Sequence, residues 1–172
     1  MRLPGILNKC ERKTCIALLI LYLIKIKNMS ELLYRKALET DIDYLLQLRK
    51  ETMSEHLINS GIISNDEDQL LRINYLFDQA KIVMLNNENV GLLKLDEKEN
   101  RIEIVQIQID PKFQKKGIGK QIIEAVIKNA LAQNKELVLS VLKANPAKEL
   151  YERLGFKIIG EDEFSFMMLF TI

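Results

Sequence analysis

The residues Gln114-Lys115-Lys116-Gly117-Ile118-Gly119 decide how this chain is organised. An apolar run at 102–109 precedes them and is closed by Asp110-Pro111, a pattern that predicts a strand followed by a turn. Apolar residues then recur at helical spacing over 118–131, which predicts an amphipathic helix. The three patterns together predict a strand, a short turn, a glycine-rich loop and a helix, in that order.

Such a loop suits an anionic ligand. Gly117 and Gly119 let the backbone approach a ligand closely, because they carry no side chain. The free N–H groups and the dipole at the start of a helix attract negative charge. Four lysines add positive charge around the loop, namely Lys112, Lys115, Lys116 and Lys120. The pattern therefore predicts a phosphate or pyrophosphate site.

Two common phosphate-binding motifs do not fit this loop. A dinucleotide fingerprint, GxGxxG, requires glycine at the position of Ile122, and a P-loop, GxxxxGK[ST], is excluded by Gln114 and Gln121. The remaining pattern, QxxGxG between a strand and a helix, resembles the loop of the GNAT superfamily of acyl-CoA-dependent N-acetyltransferases. That resemblance implies that the loop holds the pyrophosphate of acetyl-CoA. Taken alone, the loop also fits a glycine turn before an ordinary helix.

A second motif lies at 145–156 and reads Asn-Pro-Ala-x-x-Leu-Tyr-x-x-Leu-Gly-Phe. It predicts a short helix with Asn145 as N-cap, Pro146 at the first helical position and Gly155 as C-terminal stop. The motif resembles the second GNAT signature, although many members place the asparagine one position earlier. Both motifs occur in the family's order, separated by one helix and one strand, and the resemblance covers about residues 32–170.

The other patterns predict the rest of an α+β domain. A first strand is expected at 32–37, Thr40 is expected to cap a helix running to about residue 57, and Gly61 ends that helix. Residues 64–67 are expected to cap a second helix. Further strands are expected at 81–85, 90–95, 102–109, 137–142, 156–159 and 163–170. The resemblance implies a mixed, largely antiparallel sheet with helices on both faces and a splayed parallel strand pair.

Composition and charge fit one globular domain. The chain has 172 residues, of which 48% are hydrophobic and 28% are charged, and its net charge is +1. This balance argues against nucleic acid as a partner. Two cysteines, Cys10 and Cys15, and one histidine, His56, cannot form a four-ligand zinc site without carboxylates, so no metal is expected. The absence of cysteine after residue 28 fits a cytoplasmic location. The sequence leaves open whether the protein forms a homodimer.

Residues 1–28 differ from the rest, because basic residues flank an apolar run at 15–24. No small-x-small cleavage site follows this run, and it is too short for a membrane span. We interpret 1–28 as an extension outside the fold that arises from an early start codon. A short membrane-surface anchor is the alternative. The domain itself is expected at 32–172.

The resemblance also implies roles for individual residues. Acetyl-CoA is the acyl donor, and its pantetheine arm lies between the splayed strands. Tyr151 acts as general acid toward the CoA thiolate, although its helix alone fits a core tyrosine equally well. Backbone N–H groups of 107–109 are expected to hold the oxyanion. The residues expected to bind the cofactor are Ile107, Gln108, Ile109, Gln114, Lys115, Lys116, Gly117, Ile118, Gly119, Lys120 and Asn145.

The sequence leaves the base and the acceptor open. An amine is largely protonated at neutral pH, so a base or proton path is needed. Glu103, Glu136 and His56 are candidates, and each also fits an ordinary surface residue. The acidic run at 66–68 fits either a helix N-terminus or an attractor for a cationic acceptor. The sequence predicts an N-acetyltransferase acting by direct attack of a primary amine, with a non-catalytic acyl-CoA-binding regulator as the alternative.

Overall fold

The computed structural model describes residues 31–171. In this part of the chain the strands are β1 (Leu33–Lys36), β2 (Ala80–Leu85), β3 (Glu88–Glu97), β4 (Arg101–Ile109), β5 (Glu136–Leu142), β6 (Phe156–Glu161) and β7 (Ser165–Phe170). The α-helices are α1 (Ile42–Asn59), α2 (Asp66–Asn74), α3 (Ile118–Ala132) and α4 (Ala147–Arg153). The order of elements is the predicted one.

All seven of these strands form one sheet in the order β1-β2-β3-β4-β5-β7-β6. Neighbouring strands are antiparallel except β4 and β5, which run parallel. Helices cover both faces: Gln108 Nε2 donates to Thr52 Oγ1 of α1 at 2.7 Å, whereas Ile109 lies next to Gly119 of α3. The predicted mixed α+β sheet is confirmed.

The parallel strands β4 and β5 pair only over their first residues. Register partners run from Arg101 and Glu136 to Ile104 and Leu139. Beyond that point β5 continues to pair with β7, and β4 continues to pair with β3. The C-terminal halves of β4 and β5 therefore diverge and leave a gap in the sheet, as predicted.

A β-bulge at Val105 lies where the two strands diverge. Lys94 of β3 pairs with Gln106 and Leu95 pairs with Ile104, so Val105 has no partner in that register. A bulge bends its strand and increases the local twist. Because register partners share a face, the bulge also puts Ile104 and Gln106 on opposite faces of the sheet. Gln106 thus lies with Lys94 on the face covered by α1 and α2.

The core consists of apolar side chains on each face of the sheet. One cluster joins α1 and α2 to the sheet through Leu45, Leu48, Ile73, Ile82 and Leu92. The buried residues of α3 recur at helical spacing and are Ile118, Ile122, Ile123, Val126 and Ala130. Burying one such large aliphatic side chain stabilises the fold by about 1.5–3 kcal/mol, which is why these amphipathic segments form helices.

One predicted helix start is wrong. Thr40 lies inside a 3₁₀ turn, Glu39–Asp41, and does not cap α1. The Asp41 carboxylate holds that turn, because it accepts the N–H of Leu38 at 2.8 Å and both arms of the Arg35 guanidinium at 2.7 and 2.8 Å. The hydrogen bonds from Arg35 hold the pKa of Asp41 below its ordinary value.

The start of α4 lies one residue later than predicted, at Ala147. Asn145 nevertheless caps the helix, because its Oδ1 accepts the N–H of Ala147 at 2.9 Å. Gly155 follows the helix with φ +99°, a left-handed conformation that favours glycine and ends the helix as predicted.

The prediction for residues 1–28 falls outside the described residues. Within 31–171, none of the helices combines the length and the apolar character that crossing a membrane requires.

Candidate active site

A cleft of about 440 Å³, here called the loop cleft, is bounded by the end of β4, the glycine-rich loop, α1 and α4. Apart from Lys116, every residue predicted to bind the cofactor lines it, and so does Tyr151. Lys116 is exposed, and its Nζ lies 5.1 Å from the centroid of the Phe113 ring. The fold therefore gathers residues from 107 to 151 of the chain around one cavity.

The glycine-rich loop is held in an unusual backbone conformation. Lys115 and Gly117 both adopt left-handed conformations, with φ of +60° and +84°. For Lys115 this costs about 1–2 kcal/mol, and such strain is concentrated at functional sites. A Cβ atom placed on Gly117 would meet no protein atom within 4 Å, so this backbone faces open space.

The start of α3 offers free hydrogen-bond donors to the loop cleft. The N–H of Gln121 donates to the carbonyl of Gly117 at 3.0 Å, and the N–H groups of 118–120 precede this first helical bond. At Gly119 a Cβ would lie 3.9 Å from Leu150 Cδ2, an ordinary contact distance. Packing within the protein therefore does not require glycine there.

A second cleft of about 260 Å³, here called the strand cleft, occupies the gap between β4 and β5. Its walls are the residues around the bulge, the C-terminal half of β5 and side chains of α1 and α2. The two clefts share five lining residues, namely Met53, Ile107, Gln108, Asn145 and Tyr151. The predicted cofactor residues and the strand cleft therefore meet at Tyr151.

Tyr151 is a buried side chain with access to both clefts. It is 7% exposed, and its ring packs edge-on against Phe156 with 5.8 Å between centroids. Burial raises the pKa of Tyr151 to about 12. A tyrosine phenol is protonated at neutral pH even at its ordinary pKa, and burial extends the pH range of that protonated form, so the hydroxyl can act as a hydrogen-bond donor.

A chain of hydrogen-bonded polar side chains runs from Gln106 and Gln108, which line the strand cleft, to Thr52 of α1, which lines the loop cleft. Gln106 Nε2 donates to Gln108 Oε1 at 2.6 Å, Gln108 Nε2 donates to Thr52 Oγ1 at 2.7 Å, and Thr52 Oγ1 donates to the carbonyl of Leu48 at 2.7 Å. Within the described residues, Gln106 Oε1 is buried and accepts no hydrogen bond. Gln106 was not predicted as a site residue, although two glutamines in an isoleucine-rich strand could have indicated it.

Two arginines reach the strand cleft, and both were also missed. Arg49 lies on the apolar stripe of α1 and is 9% exposed, and burial, together with the charge of Arg72, lowers its pKa to about 10. Arg72 is exposed on α2, and its Nη2 donates to the carbonyl of Val105 at 3.0 Å. The sequence could have indicated Arg49, because it places a charged residue on the apolar stripe of a predicted helix.

The three candidate bases lie in different places. His56 lines the loop cleft. Glu103 forms a 3.8 Å ion pair with Arg101, and Glu136 pairs with Arg101 in register at the closed end of the strand pair. Neither glutamate lines either cleft.

The acidic run at 66–68 serves structural contacts. Asp66 forms a 2.8 Å ion pair with Lys50, and Asp68 and Asn65 cap the start of α2 reciprocally. Across residues 31–171, no cluster of three or more His, Cys, Asp or Glu side chains is placed to hold a metal ion.

The chain matches one protein-family model and several known proteins. The family model, described as an acetyltransferase (GNAT) domain, matches residues 62–169. Over 73 residues the chain is 36% identical to the spermine/spermidine N(1)-acetyltransferase of Bacillus subtilis (strain 168), a match that covers 41% of this chain and 48% of that protein. Over 86 residues it is 33% identical to the N-acetylaspartate synthetase of Danio rerio, covering 48% and 30% of the two chains. The matches thus span half or less of each relative.

Solved structures agree with the fold. The PaiA N-acetyltransferase from Thermoplasma acidophilum, solved in complex with coenzyme A, superposes with a TM-score of 0.64. The match covers 83% of this chain and 99% of that one at 20% identity. At this identity the likeness concerns the fold alone.

Proposed function

Because the chain belongs to the GNAT acetyltransferase family, we propose that it transfers the acetyl group of acetyl-CoA to a primary amine. The observation that carries the proposal is the meeting of the loop cleft and the strand cleft at Tyr151. One cleft has the features of a donor site, and the other leaves room for an acceptor beside it. We also propose a cytoplasmic location, since residues 29–172 contain no cysteine.

Two features support acetyl-CoA as the ligand of the loop cleft. The N–H groups of 118–120 and the side chains of Lys115 and Lys120 suit the charge of a pyrophosphate. The edge of β4 at 107–109 has no partner in β5, and Gln114 Nε2 donates to the Ile109 carbonyl there at 2.9 Å. The other backbone groups on this open edge are available to the amides of a pantetheine arm. Asn145 lines both clefts, with its Oδ1 engaged by the helix start.

The proposed reaction has a simple balance. The amine nitrogen attacks the thioester carbonyl carbon, a C–N bond forms, the C–S bond breaks, and the amine loses a proton while the thiolate gains one. We assign Tyr151 as the group that donates to the departing thiolate, since its phenol stays protonated at neutral pH. Thiols have a pKa near 8.5, so the thiolate is already a fair leaving group. Backbone N–H groups of 107–109 would stabilise the oxyanion.

A non-catalytic acyl-CoA-binding regulator is the second candidate. It would need the loop cleft, but it would need neither the Tyr151 hydroxyl nor an adjoining strand cleft. The acceptor is not set by the relatives, because the names of the two given above specify substrates of opposite charge, a polyamine and a dicarboxylic amino acid.

The test is acetyl-CoA turnover with a panel of amines, read as free thiol, together with calorimetric titration of acetyl-CoA. Gly117→Glu adds bulk and negative charge where the backbone faces open space, so we expect binding and turnover to be lost. Gly117→Ala is the matched control, because it carries the same left-handed strain without the charge. Acetyl-CoA affinity in folded Gly117→Glu equal to that of the wild type would contradict the assignment of the loop. Tight binding without turnover of any amine would favour the regulator.

A further inference from the structure

The strand cleft has a one-sided charge. As far as residues 31–171 line it, the cleft contains two guanidinium groups, Arg49 and Arg72, and no aspartate or glutamate. The remaining lining is apolar or neutral, apart from the weakly acidic hydroxyl of Tyr151. A cleft that must admit a second substrate therefore presents positive charge to it.

Arg49 is the more informative of the two arginines. Its side chain is buried among the apolar residues of α1, and within the described residues its Nε has no hydrogen-bond partner. A buried charge without a partner is destabilising by several kcal/mol, and a second cation nearby adds to that cost. Among residues 31–171, the only charge that shifts its pKa is another cation, Arg72, so this part of the chain supplies no compensating anion.

A third cation reinforces the field without being free to bind. Lys94 is 1% exposed, and its Nζ donates to the carbonyls of Ile73 and Tyr75 at 2.9 and 2.6 Å. These bonds occupy the ammonium group at the C-terminal end of α2, where a cation complements the helix dipole. Lys94 is thus a structural cation, whereas the Nε of Arg49 retains an unused donor.

We infer that the acceptor is a small amine carrying a carboxylate, such as an amino acid, and that Arg49 and Arg72 bind this carboxylate. The inference rests on the proposed function and specifies its substrate class. A guanidinium pairs with a carboxylate through two parallel hydrogen bonds, and Arg49 and Arg72 both line the strand cleft. Gln106 lines it too, and rotation of its side chain amide would turn the unpaired Oε1 toward an N–H of the substrate amine.

Charge also excludes the opposite class of acceptor. A polyamine would carry its distal ammonium groups toward two guanidinium groups of the same sign, in a cleft without a carboxylate. The reaction is unchanged: the ammonium of the amino acid loses two protons in forming the amide, the thiolate takes up one, and one is released to solvent.

The first measurement compares acceptors with the full chain. L-aspartate, L-asparagine and glycine represent carboxylated amines, spermidine represents polyamines, and free thiol is the readout. We expect kcat/KM for the best carboxylated amine to exceed that for spermidine by at least about tenfold. Better turnover of spermidine would overturn the inference while leaving acetyl transfer intact.

A binding measurement gives an answer even without turnover. CoA-saturated protein is titrated with N-acetyl-L-aspartate and, separately, with N1-acetylspermidine, which mimic the two classes of product. Binding of the anionic product alone supports the inference, and binding of the cationic product alone or of neither overturns it. Failure of CoA itself to bind would instead count against the proposed function.

Variants connect the result to the arginines. Arg49→Met keeps a long side chain in the buried site and should raise KM for the carboxylated amine by roughly 10- to 100-fold, with acetyl-CoA affinity within about twofold. Lys50→Met is the matched control, because it removes the same charge from the next residue of α1, which lies outside both clefts. Arg49→Lys should lower this KM relative to Arg49→Met, because it restores the positive charge. A purely steric role of Arg49 would predict no such recovery.

Arg72→Gln provides a second variant that does not depend on a buried position, since Arg72 is exposed. It should raise the same KM several-fold and leave kcat within about threefold. Unchanged KM values in both Arg49→Met and Arg72→Gln would overturn the inference, and so would a parallel rise in Lys50→Met.

Discussion

At the residue scale, Tyr151 has to satisfy both packing and chemistry. Its ring belongs to an aromatic group with Phe156 and Phe170, in which successive rings meet edge-on at 5.8 and 5.6 Å. The same residue lines both clefts. The burial that fixes the ring also raises the pKa of the phenol, which is protonated at neutral pH as an ordinary tyrosine is, so packing and the proposed donor role are compatible.

The variant Tyr151→Phe tests the packing of the ring and the chemistry of the hydroxyl group separately. The ring and its aromatic contacts stay, so the melting temperature and acetyl-CoA affinity should change little. The acetylation rate should fall by roughly ten- to a thousandfold, at or below the usual range for general-acid catalysis because the thiolate leaves readily. Steady-state kinetics with an accepted amine checks this. Tyr34→Phe on β1 is the control, since Tyr34 is exposed and lies outside both clefts.

A normal rate in Tyr151→Phe would assign Tyr151 to packing alone. A large loss of stability would show that the hydroxyl contributes a buried structural hydrogen bond. Circular dichroism melting of the same samples distinguishes this from a catalytic defect.

At the element scale, the decisive feature is the bulge in β4. It bends the strand away from β5 and changes which residues face α1, so the same strand gives Ile102 and Ile104 to one face and Gln106 and Gln108 to the other. Two features follow from this one irregularity. One is the gap between β4 and β5, and the other is the position of Gln106 and Gln108 in the strand cleft, which Arg49 and Arg72 also line. Lys94, the β3 partner of Gln106, donates hydrogen bonds to backbone carbonyls at the end of α2 and so holds that end of the helix beside the bulge.

Lys94 should leave a signature in the pH dependence of stability. Burial lowers the pKa of Lys94 from 10.5 to about 8, with contributions from Arg72 and Arg49. Between these values the unfolded chain binds more protons than the native one, so this contribution to stability rises with pH. It is complete above 10.5 and is lost as the pH falls through about 8.

Lys94→Met should therefore remove a slope on the order of 1 kcal/mol per pH unit between pH 8 and 10. Urea unfolding at several pH values measures this slope, and Lys81→Met on the exposed face of β2 is the control. Identical slopes in the wild type and Lys94→Met would show that Lys94 titrates normally in the folded protein.

At the scale of the whole molecule, we propose that residues 32–172 form the domain and that 1–28 are not required for it. The seven strands of the sheet all lie within Leu33–Phe170. Deleting 1–28 should change the melting temperature by no more than about 2 °C and leave acetyl-CoA affinity unchanged, since about 1 kcal/mol shifts the melting temperature of a domain of this size by a few degrees. A drop of several degrees, measured by differential scanning calorimetry, would place part of 1–28 in the folded core.

The sequence by itself determined the order of elements, the glycine-rich loop and the helix around Tyr151. These features depend on local physics: helical spacing in α3, the capping side chain of Asn145 and the left-handed residues Gly117 and Gly155 act over a few positions. Even the failure at Thr40 was local, because a nearby ion pair with Asp41 determined the turn.

Only the tertiary structure decided the register of β4 and the composition of the strand cleft. A bulge depends on pairing between β3 and β4, and one extra residue reverses the face of every side chain that follows, which no single-strand pattern reveals. Arg49, Arg72 and Gln106 come from three elements that tertiary packing brings together. The proposed preference for a carboxylated acceptor rests on that juxtaposition, since charge acts through space and not along the sequence.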